Sequence, residues 1–343
     1  MKLLRRALHR FVPAGFHDPI GLARRLLETR DPAALFALRA AALGPLIAPL
    51  DLLLTPFERA HYRRAQPPRL PVIVVCGCAR SGTTVAAQLL MHRLQVSYFT
   101  NLTSVFPRSP LTAEAAFGRR LRHAIPSLRN FYGRTSGWSG PNDALYVWDR
   151  WLGRDRARVP AALEPGAVED IARFFGAREA QTGLATLNKA NALNVSAHLV
   201  AEALPTSRFI CVERDRIPLA LSLLKARVEI HGRADIPYGI APDSRPGNDP
   251  VEDVCRQVLF HERVARHQLA RLGQERFLLV RLEDIFLNPE SFVQRVARDV
   301  LHEPPRKSML NLELEIQAGG DRWREAPLAG RIEEAFERLS RDS

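Results

Sequence analysis

The fold is decided by residues 72–84, Val72-Ile73-Val74-Val75-Cys76-Gly77-Cys78-Ala79-Arg80-Ser81-Gly82-Thr83-Thr84. The first five residues are apolar and mostly β-branched, which predicts a buried strand. A loop bounded by two glycines follows, and apolar residues then recur at helical spacing as far as Leu94. The backbone N–H groups of such a loop point inward, and the helix N-terminus adds positive potential. The segment therefore predicts a phosphate-binding loop between a strand and a helix.

This loop lacks one residue that binds triphosphates. Its Gly77-x4-Gly82 spacing equals that of the triphosphate-binding loop, but Thr83 stands where a lysine is expected. The cation lies inside the loop instead, at Arg80. Because the missing lysine would reach the β- and γ-phosphates, its absence disfavours ordinary kinase and triphosphatase chemistry.

Strands and helices alternate along most of the chain. Residues 184–187, 209–212 and 277–280 are predicted strands, each followed by a segment of helical periodicity; the first of these helices is expected to run from Val195. This alternation predicts an α/β fold with a P-loop-type parallel sheet covered by helices on both faces. We predict the following organisation: an N-terminal helical extension over 1–66, the α/β domain over 67–305 with an acceptor-side insertion around 101–183, and a helical tail over 306–343.

The N-terminal extension mixes leucines with arginines. Its most apolar segment, residues 41–55, contains Pro45, Pro49 and Asp51. A spanning helix needs about 20 predominantly apolar residues, so this interrupted segment is not expected to cross a bilayer. Two interpretations stay open: the extension packs on the α/β domain, or it gives the protein a peripheral foothold on an anionic membrane surface.

Composition limits the class of protein and its partners. Hydrophobic residues make up 46% of the 343-residue chain, which excludes a wholly disordered protein. The 49 lysines and arginines exceed the 37 acids by 12, and such an excess favours anionic partners. The arginines are spread along the chain rather than clustered with aromatic residues, so no nucleic acid is expected. Four cysteines are too few for a disulfide framework, which indicates a reduced, cytoplasmic protein.

Four motifs, in order, resemble the sulfotransferases that use 3′-phosphoadenosine-5′-phosphosulfate. Residues 80–84, Arg-Ser-Gly-Thr-Thr, look like their 5′-phosphosulfate loop, and residues 208–223 look like their second donor-binding element. Residues 187–191, Leu-Asn-Lys-Ala-Asn, are similar to a lysine-bearing element of the protein-tyrosine and bacterial members. Residues 280–290 resemble the late strand and helix of the family. Together the motifs cover roughly residues 70–302.

The resemblance implies a role for each matching residue. The residues that would hold the 5′-phosphate are those of the loop: Gly77, Arg80, Ser81, Gly82, Thr83 and Thr84. Arg214 and Ser222 match the arginine and serine that hold the 3′-phosphate, although the residues alone also allow an ion pair between Arg214 and Asp215 or Glu213. Arg80 and Lys189 would act on the transferring group as catalytic cations. The resemblance implies no metal requirement.

A hydroxyl acceptor must lose a proton as it attacks, so a base should stand close to it. The protein-tyrosine members carry a glutamate soon after the first helix, but residues 98–101 of this chain contain no acid. We select Asp143 as the candidate base because aromatic residues flank it, with His123 and Glu114 as reserves. The tryptophans at 138, 148 and 151 have two open interpretations, stacking on an acceptor or packing within the insertion.

The resemblance predicts a sulfotransferase that moves a sulfuryl group from 3′-phosphoadenosine-5′-phosphosulfate to an acceptor hydroxyl and releases adenosine 3′,5′-bisphosphate. The acceptor class stays open between a glycan, a glycolipid or other lipid-linked molecule, and a small molecule. Two alternatives also stay open. One is an atypical P-loop small-molecule kinase, and the other is a non-catalytic basic protein of the same fold that binds anions or lipid. The expected location is cytoplasmic, and the peripheral interpretation of the extension adds contact with the inner face of the membrane.

Overall fold

The computed structural model describes residues 18–63, 65–118, 130–242, 244, 247–306 and 327–341. Its centre is a parallel sheet, as the alternation of strands and helices predicts. The strands are β1 (Val72–Cys76), β2 (Val96–Ser97), β3 (Ala185–Lys189), β4 (Ser207–Glu213) and β5 (Phe277–Arg281). Their spatial order is β2-β3-β1-β4-β5, and every pairing is parallel.

Helices surround this sheet. In chain order they are α1 (Pro19–Glu28), α2 (Pro32–Arg63), α3 (Thr83–Arg93), α4 (Asn101–Ser104), α5 (Pro110–Ala113), α6 (Leu145–Leu152), α7 (Ala167–Thr182), α8 (Ala197–Ala203), α9 (Arg216–Ala226), α10 (Pro250–Leu272), α11 (Leu282–Leu287), α12 (Pro289–Val296) and α13 (Ala329–Arg341).

The central strand buries both of its faces. Val72, Val74 and Cys76 of β1 pack with the aromatic side chains of α6 and α7 and with α8. Ile73 and Val75 point the other way and pack with α3 and α12. Since successive residues of a strand face opposite sides, this division explains why β1 is apolar at every position. It also confirms the predicted cover on both faces.

A third apolar cluster holds the C-terminal part of the chain. Helix α13 buries Ile332, Ala335, Phe336 and Leu339 against α9 and α10. The predicted tail over 306–343 therefore includes an amphipathic helix on the domain, while residues 307–326 lie outside the described residues. The predicted boundaries at residues 66 and 305 stay predictions.

Two local expectations need correction. Strand β3 continues to Lys189, two residues beyond the predicted end, because Val74 and Val75 of β1 pair with Asn188 and Lys189. The helix expected from Val195 begins at Ala197, after a 3₁₀ turn over Asn191–Asn194. The extra strand residues bring Lys189 to the carboxyl edge of the sheet.

The apolar segment over residues 41–55 lies within one long helix. Helix α2 runs without a break through Pro45, Pro49 and Pro56, all of which lie on its exposed side. Each proline removes one backbone donor from the helix. The expectation that this segment does not cross a bilayer stays a prediction. By length and composition alone, α2 is long and apolar enough to cross a membrane.

Candidate active site

The loop after β1 is held in a strained, tight conformation. Gly77 has φ 144°, and a Cβ on it would lie 2.5 Å from the carbonyl oxygen of Val212, so only glycine fits there. Arg80 has φ 71°, in the left-handed region that non-glycine residues rarely adopt. Backbone strain of this kind costs of order 1–3 kcal/mol and often accompanies a functional site. The strained backbone of the loop lowers local stability and places the Arg80 side chain.

The Arg80 guanidinium lies between two neighbours on the sheet's carboxyl edge. Its Nε donates to Ser222 Oγ of α9 at 3.1 Å. Its Cζ lies 4.5 Å from the centroid of the Tyr132 ring, in cation–π geometry. The Tyr132 hydroxyl in turn donates to Glu229 at 2.6 Å. The structure thus brings Arg80 and Ser222 together and holds the cation on an aromatic ring.

Arg214 lies directly beside this group. Its Nη1 donates to the backbone carbonyl of Arg80 at 3.1 Å. Burial, and secondly the nearby charge of Arg80, lower the pKa of Arg214. Asp215, an ion-pair partner left open by the sequence, binds Arg281 instead at 2.5 Å. Glu283 and Asp215 act on Arg214 from nearby, but among the described residues neither Arg80 nor Arg214 forms an ion pair.

A cavity of about 750 Å³ opens beside the loop. Ser81 and Arg214 line it, whereas Arg80, Ser222 and Lys189 do not. The Ser81 side chain is fully buried, and its hydroxyl has no hydrogen-bond partner among the described residues. An unpartnered buried hydroxyl is unfavourable without a ligand. The cavity therefore has a polar group available at the phosphate loop.

The cavity wall contains two residues that the sequence analysis did not identify. His261 Nδ1 lies 2.8 Å from Asn194 Nδ2, and His261 Nε2 lies 2.9 Å from the Ile240 carbonyl oxygen. Burial lowers the pKa of His261 to about 4, so the neutral ring donates from Nε2 and accepts at Nδ1. This arrangement orients the Asn194 amide and leaves its Oδ1 buried without a partner among the described residues. No periodicity or motif in the sequence marks either residue.

A second cluster forms around Lys189, the last residue of β3. Its Nζ lies 2.6 Å from Asp143 Oδ1 and 3.4 Å from Thr84 Oγ1. The lysine is 5% exposed, while the Asp143 side chain is 31% exposed. A Cβ on Gly133, whose φ is 83°, would lie 2.8 Å from the lysine nitrogen. The structure therefore brings three predicted site residues together in a space that fits a small ammonium group.

The strand itself positions the candidate base. Asn188 Oδ1 accepts from the Trp148 indole at 2.7 Å, and Asn188 Nδ2 donates to the carbonyl oxygen of Asn142 at 3.3 Å. These bonds tie the residue before Asp143 to β3. Asp143 is thus held next to Lys189 by the sheet edge rather than by its own loop alone.

The hydroxyl groups of the two loop threonines have different hydrogen-bond partners. Thr83 is buried, and its hydroxyl donates to Asn191 Oδ1 at 2.7 Å, which joins the start of α3 to the turn after β3. That proton is therefore used within the protein, and only the backbone of Thr83 remains for a ligand. Thr84 contacts the lysine instead. Gly82 lies against the Leu282 side chain, which a Cβ would meet at 2.3 Å.

The reserve bases and the tryptophans lie elsewhere. Glu114 forms an ion pair with Arg178, which is almost fully buried, so its carboxylate is already bound. His123 lies outside the described residues. Trp148 and Trp151 are 3% and 1% exposed in the core, which supports the packing interpretation for both. Trp138 contacts Phe36 of α2 edge to face.

In the described part of the chain, no group of three or more histidine, cysteine, aspartate or glutamate residues could hold a metal ion. The four cysteines are all buried and free.

A family model described as the sulfotransferase family matches residues 71–300. The chain belongs to this sulfotransferase family. The matched range contains both side-chain clusters described above, and membership implies a transferase that acts on a hydroxyl-bearing acceptor. The kinase and the non-catalytic binding protein are not favoured. The predicted resemblance is thereby confirmed, although the role of each residue stays a prediction.

Several solved sulfotransferase structures are similar to this chain. Sulfotransferase STF9 from Mycobacterium avium has 15% sequence identity and a TM-score of 0.47, with 79% of this chain and 68% of that chain covered. Sulfotransferase STF1 from Mycobacterium tuberculosis H37Rv has 11% identity and a TM-score of 0.48, with 98% of each chain covered. Both TM-scores lie below 0.5, so the family assignment rests on the family model and not on these structural similarities. No curated protein matches the chain.

Proposed function

We propose that this sulfotransferase takes a sulfuryl group from 3′-phosphoadenosine-5′-phosphosulfate and transfers it to an acceptor hydroxyl. The observation that supports this donor is the pair of neighbouring guanidinium groups, Arg80 and Arg214, neither of which has an ion-pair partner among the described residues. The 5′-phosphosulfate of the donor would satisfy Arg80, and its 3′-phosphate would satisfy Arg214. The orphaned Ser81 hydroxyl beside them supplies a further donor to an anion.

The residues present fit the nucleotide. The loop residues Gly77, Ser81, Gly82, Thr83 and Thr84, with Arg80, would hold the 5′-phosphate end. Arg214 and Ser222 would hold the 3′-phosphate; Ser222 accepts from Arg80 and keeps its own proton to donate. The cavity of about 750 Å³, which Ser81 and Arg214 line, would hold the part of the nucleotide beside these two residues, and its volume lies within the range of about 300–1,000 Å³ usual for ligand sites. When bound, the donor supplies a sulfuryl group on a phosphate leaving group.

The protein's own part in the reaction is positioning, fixed positive charge and acceptance of a proton. Group transfer through a loose transition state spreads negative charge over the equatorial oxygens, and fixed cations stabilise that charge. Arg80 and Lys189 provide two such cations, one on each side of the loop. Asp143 presents a partly exposed carboxylate at the lysine, where it would accept the proton of an acceptor hydroxyl.

The setting of the reaction is also part of the proposal. We place the enzyme in the cytoplasm on the strength of its four free cysteines. The acceptor would be a glycan, a lipid-linked molecule or a small molecule with a free hydroxyl. No metal takes part in the proposed reaction.

The donor site is tested with Arg214→Ala. A hydrogen bond to a charged group contributes about 1.5–3 kcal/mol, so affinity for adenosine 3′,5′-bisphosphate should fall by about 10- to 150-fold. Titration calorimetry without added metal measures it. Arg208→Ala is the matched control, since Arg208 lies at the opposite end of β4 and bonds only to local carbonyls. An unchanged affinity in Arg214→Ala would remove this residue from the donor site.

The reaction is tested with labelled donor and fractions of a cell lysate. Mass spectrometry should find one sulfate increment on an acceptor that depends on the enzyme. Stabilisation by ATP with Mg²⁺ but not by adenosine 3′,5′-bisphosphate would contradict the proposal and favour the kinase.

A further inference from the structure

Helix α2 presents an apolar surface to the outside of the molecule. Between Arg39 and Arg59, the exposed side chains are all apolar: Ala41, Ala42, Leu43, Pro45, Leu46, Pro49, Leu50, Leu52, Leu53, Pro56 and Phe57. Leu46 is 76% exposed, Leu53 70% and Phe57 62%. Residues 46, 50, 53 and 57 recur at helical spacing, so they form one continuous stripe. We call this stripe the outer face of α2.

The acids of the same stretch point inward. Asp51, 1% exposed, accepts from the backbone N–H groups of Arg108 and Ser109 and from the Ser109 hydroxyl at 2.7 Å. Glu58, 3% exposed, accepts from Leu111 and from both the backbone and the hydroxyl of Thr112. An ordinary surface helix buries its apolar face and exposes its polar one. In α2 the two carboxylates point inward beside Ala40, Ile47 and Leu54, which pack on an apolar cluster, so this helix is apolar on its outer side as well as on its inner one.

Charge favours an anionic surface as the partner of this face. Residues 1–66 contain eleven lysines and arginines and five acids, a net charge of +6, which is half of the chain's +12 in a fifth of its length, and five of these eleven cations, Lys2, Arg5, Arg6, Arg10 and Arg64, lie outside the described residues. Two of those five acids are the buried Asp51 and Glu58. Exposed Arg39 lies seven positions before Leu46 and so on the same side of the helix, and exposed Arg59 follows two positions after Phe57. An apolar stripe bounded by cations matches the surface of an anionic bilayer.

We propose that α2 lies in the surface of an anionic membrane, with Leu46, Leu50, Leu53 and Phe57 in the apolar layer and the arginines among the headgroups. Spanning the bilayer would require Asp51 and Glu58 to leave their hydrogen bonds and enter hydrocarbon, which is strongly unfavourable. The helix therefore lies in the plane of the membrane and stays attached to the α/β domain. This inference does not depend on the transfer reaction.

The experiment is sedimentation of the full chain with vesicles, using phosphatidylglycerol mixed with phosphatidylcholine or phosphatidylcholine alone. The wild type should bind the anionic vesicles, and more weakly at high salt. The double variant Leu46→Glu/Leu53→Glu should lose at least about tenfold in binding, because two apolar side chains no longer enter the membrane. Val168→Glu/Leu287→Glu is the matched control, since both side chains are exposed elsewhere, and it should bind as the wild type does. An unchanged melting temperature shows that the variants fold.

Four results would overturn the proposal. The first is no binding of the wild type to anionic vesicles at low salt, and the second is equal loss in both double variants. The third is a dimer, seen by light scattering, that Leu46→Glu/Leu53→Glu dissociates, because a second copy would then cover the outer face. The fourth is resistance of the membrane-bound protein to alkaline carbonate extraction, which would indicate a spanning helix.

Discussion

Lys189 offers the sharpest test of how this site works. The chain holds 45 arginines and four lysines, and this lysine lies buried between Asp143, Thr84 and Gly133. A Cβ at residue 133 would lie 2.8 Å from its Nζ, so the ammonium group occupies the space that Gly133 leaves open. A compact ammonium can also follow oxygens that move during transfer. We therefore expect both Lys189→Arg and Lys189→Ala to lower turnover.

The magnitude follows from the surroundings of the ion pair. Loss of one fixed cation at the transition state is expected to lower kcat by about 10²- to 10³-fold. Breaking a buried ion pair destabilises a protein by about 3–5 kcal/mol, but Asp143 is 31% exposed and can be rehydrated. The free energy of unfolding should therefore fall by only about 1–2 kcal/mol, and affinity for adenosine 3′,5′-bisphosphate should change much less than turnover.

The assay is initial-rate kinetics at saturating donor, with calorimetric binding of adenosine 3′,5′-bisphosphate in parallel. Lys225→Arg is the control for the chemical change, since the Lys225 side chain is 70% exposed. Wild-type turnover in Lys189→Arg would refute the argument from compact charge. Wild-type turnover in Lys189→Ala would end any catalytic role for this residue.

Three further predictions follow from the same geometry. Asp143→Asn should lower kcat at least as much as Lys189→Arg, with donor affinity retained; a wild-type kcat would exclude it as the base. Tyr132→Ala should weaken adenosine 3′,5′-bisphosphate binding by about 2- to 30-fold, since Arg80 loses a cation–π contact worth about 0.5–2 kcal/mol, while Tyr132→Phe should keep most of the affinity. Burial lowers the pKa of His261 from 6.5 to about 4, so the unfolded state takes up the proton first as pH falls. The contribution of the neutral His261 side chain to the free energy of unfolding is fully present above about pH 6.5. It falls by about 3 kcal/mol towards pH 4. Urea unfolding at pH 7 and pH 5 should show a smaller pH dependence in His261→Gln than in the wild type, and equal dependence in both would contradict this account.

The sequence predicts four of the five strands because these carry strong local signals, whereas the two-residue edge strand β2, Val96–Ser97, was not predicted. Residues 72–76 are uninterrupted apolar residues, mostly β-branched, a pattern that is typical of a strand buried on both faces. The end of β3 was placed too early because Asn188 and Lys189 are polar, and their strand conformation comes from pairing with β1. The length of α2 does not follow from local signals, because prolines disfavour a helix, whereas the tertiary contacts of Asp51 with Ser109 and of Glu58 with Thr112 hold this one in place.

The candidate site was predictable only where residues follow a motif. Arg80, Lys189 and Arg214 each follow a predicted strand, and parallel strands bring their carboxyl ends to one edge. Tyr132 and Glu229 could not be found this way, since they are 97 positions apart and meet only through tertiary packing. The unpartnered Oδ1 of Asn194 likewise depends on a histidine 67 positions away.

The contact between Arg80 and Tyr132 has a consequence for the order of substrate binding. Tyr132 belongs to the segment that also carries Gly133 and leads to Asp143, so one aromatic ring joins the donor loop to the acceptor side. An anion that binds the Arg80 guanidinium while it lies on this ring would fix the position of this segment and with it the acceptor side. Thermodynamic linkage makes this effect reciprocal. If adenosine 3′,5′-bisphosphate changes the affinity of the enzyme for the acceptor by some factor, the acceptor changes the affinity for adenosine 3′,5′-bisphosphate by the same factor. The nucleotide and the acceptor are therefore expected to bind cooperatively. Steady-state kinetics should show a sequential order of addition.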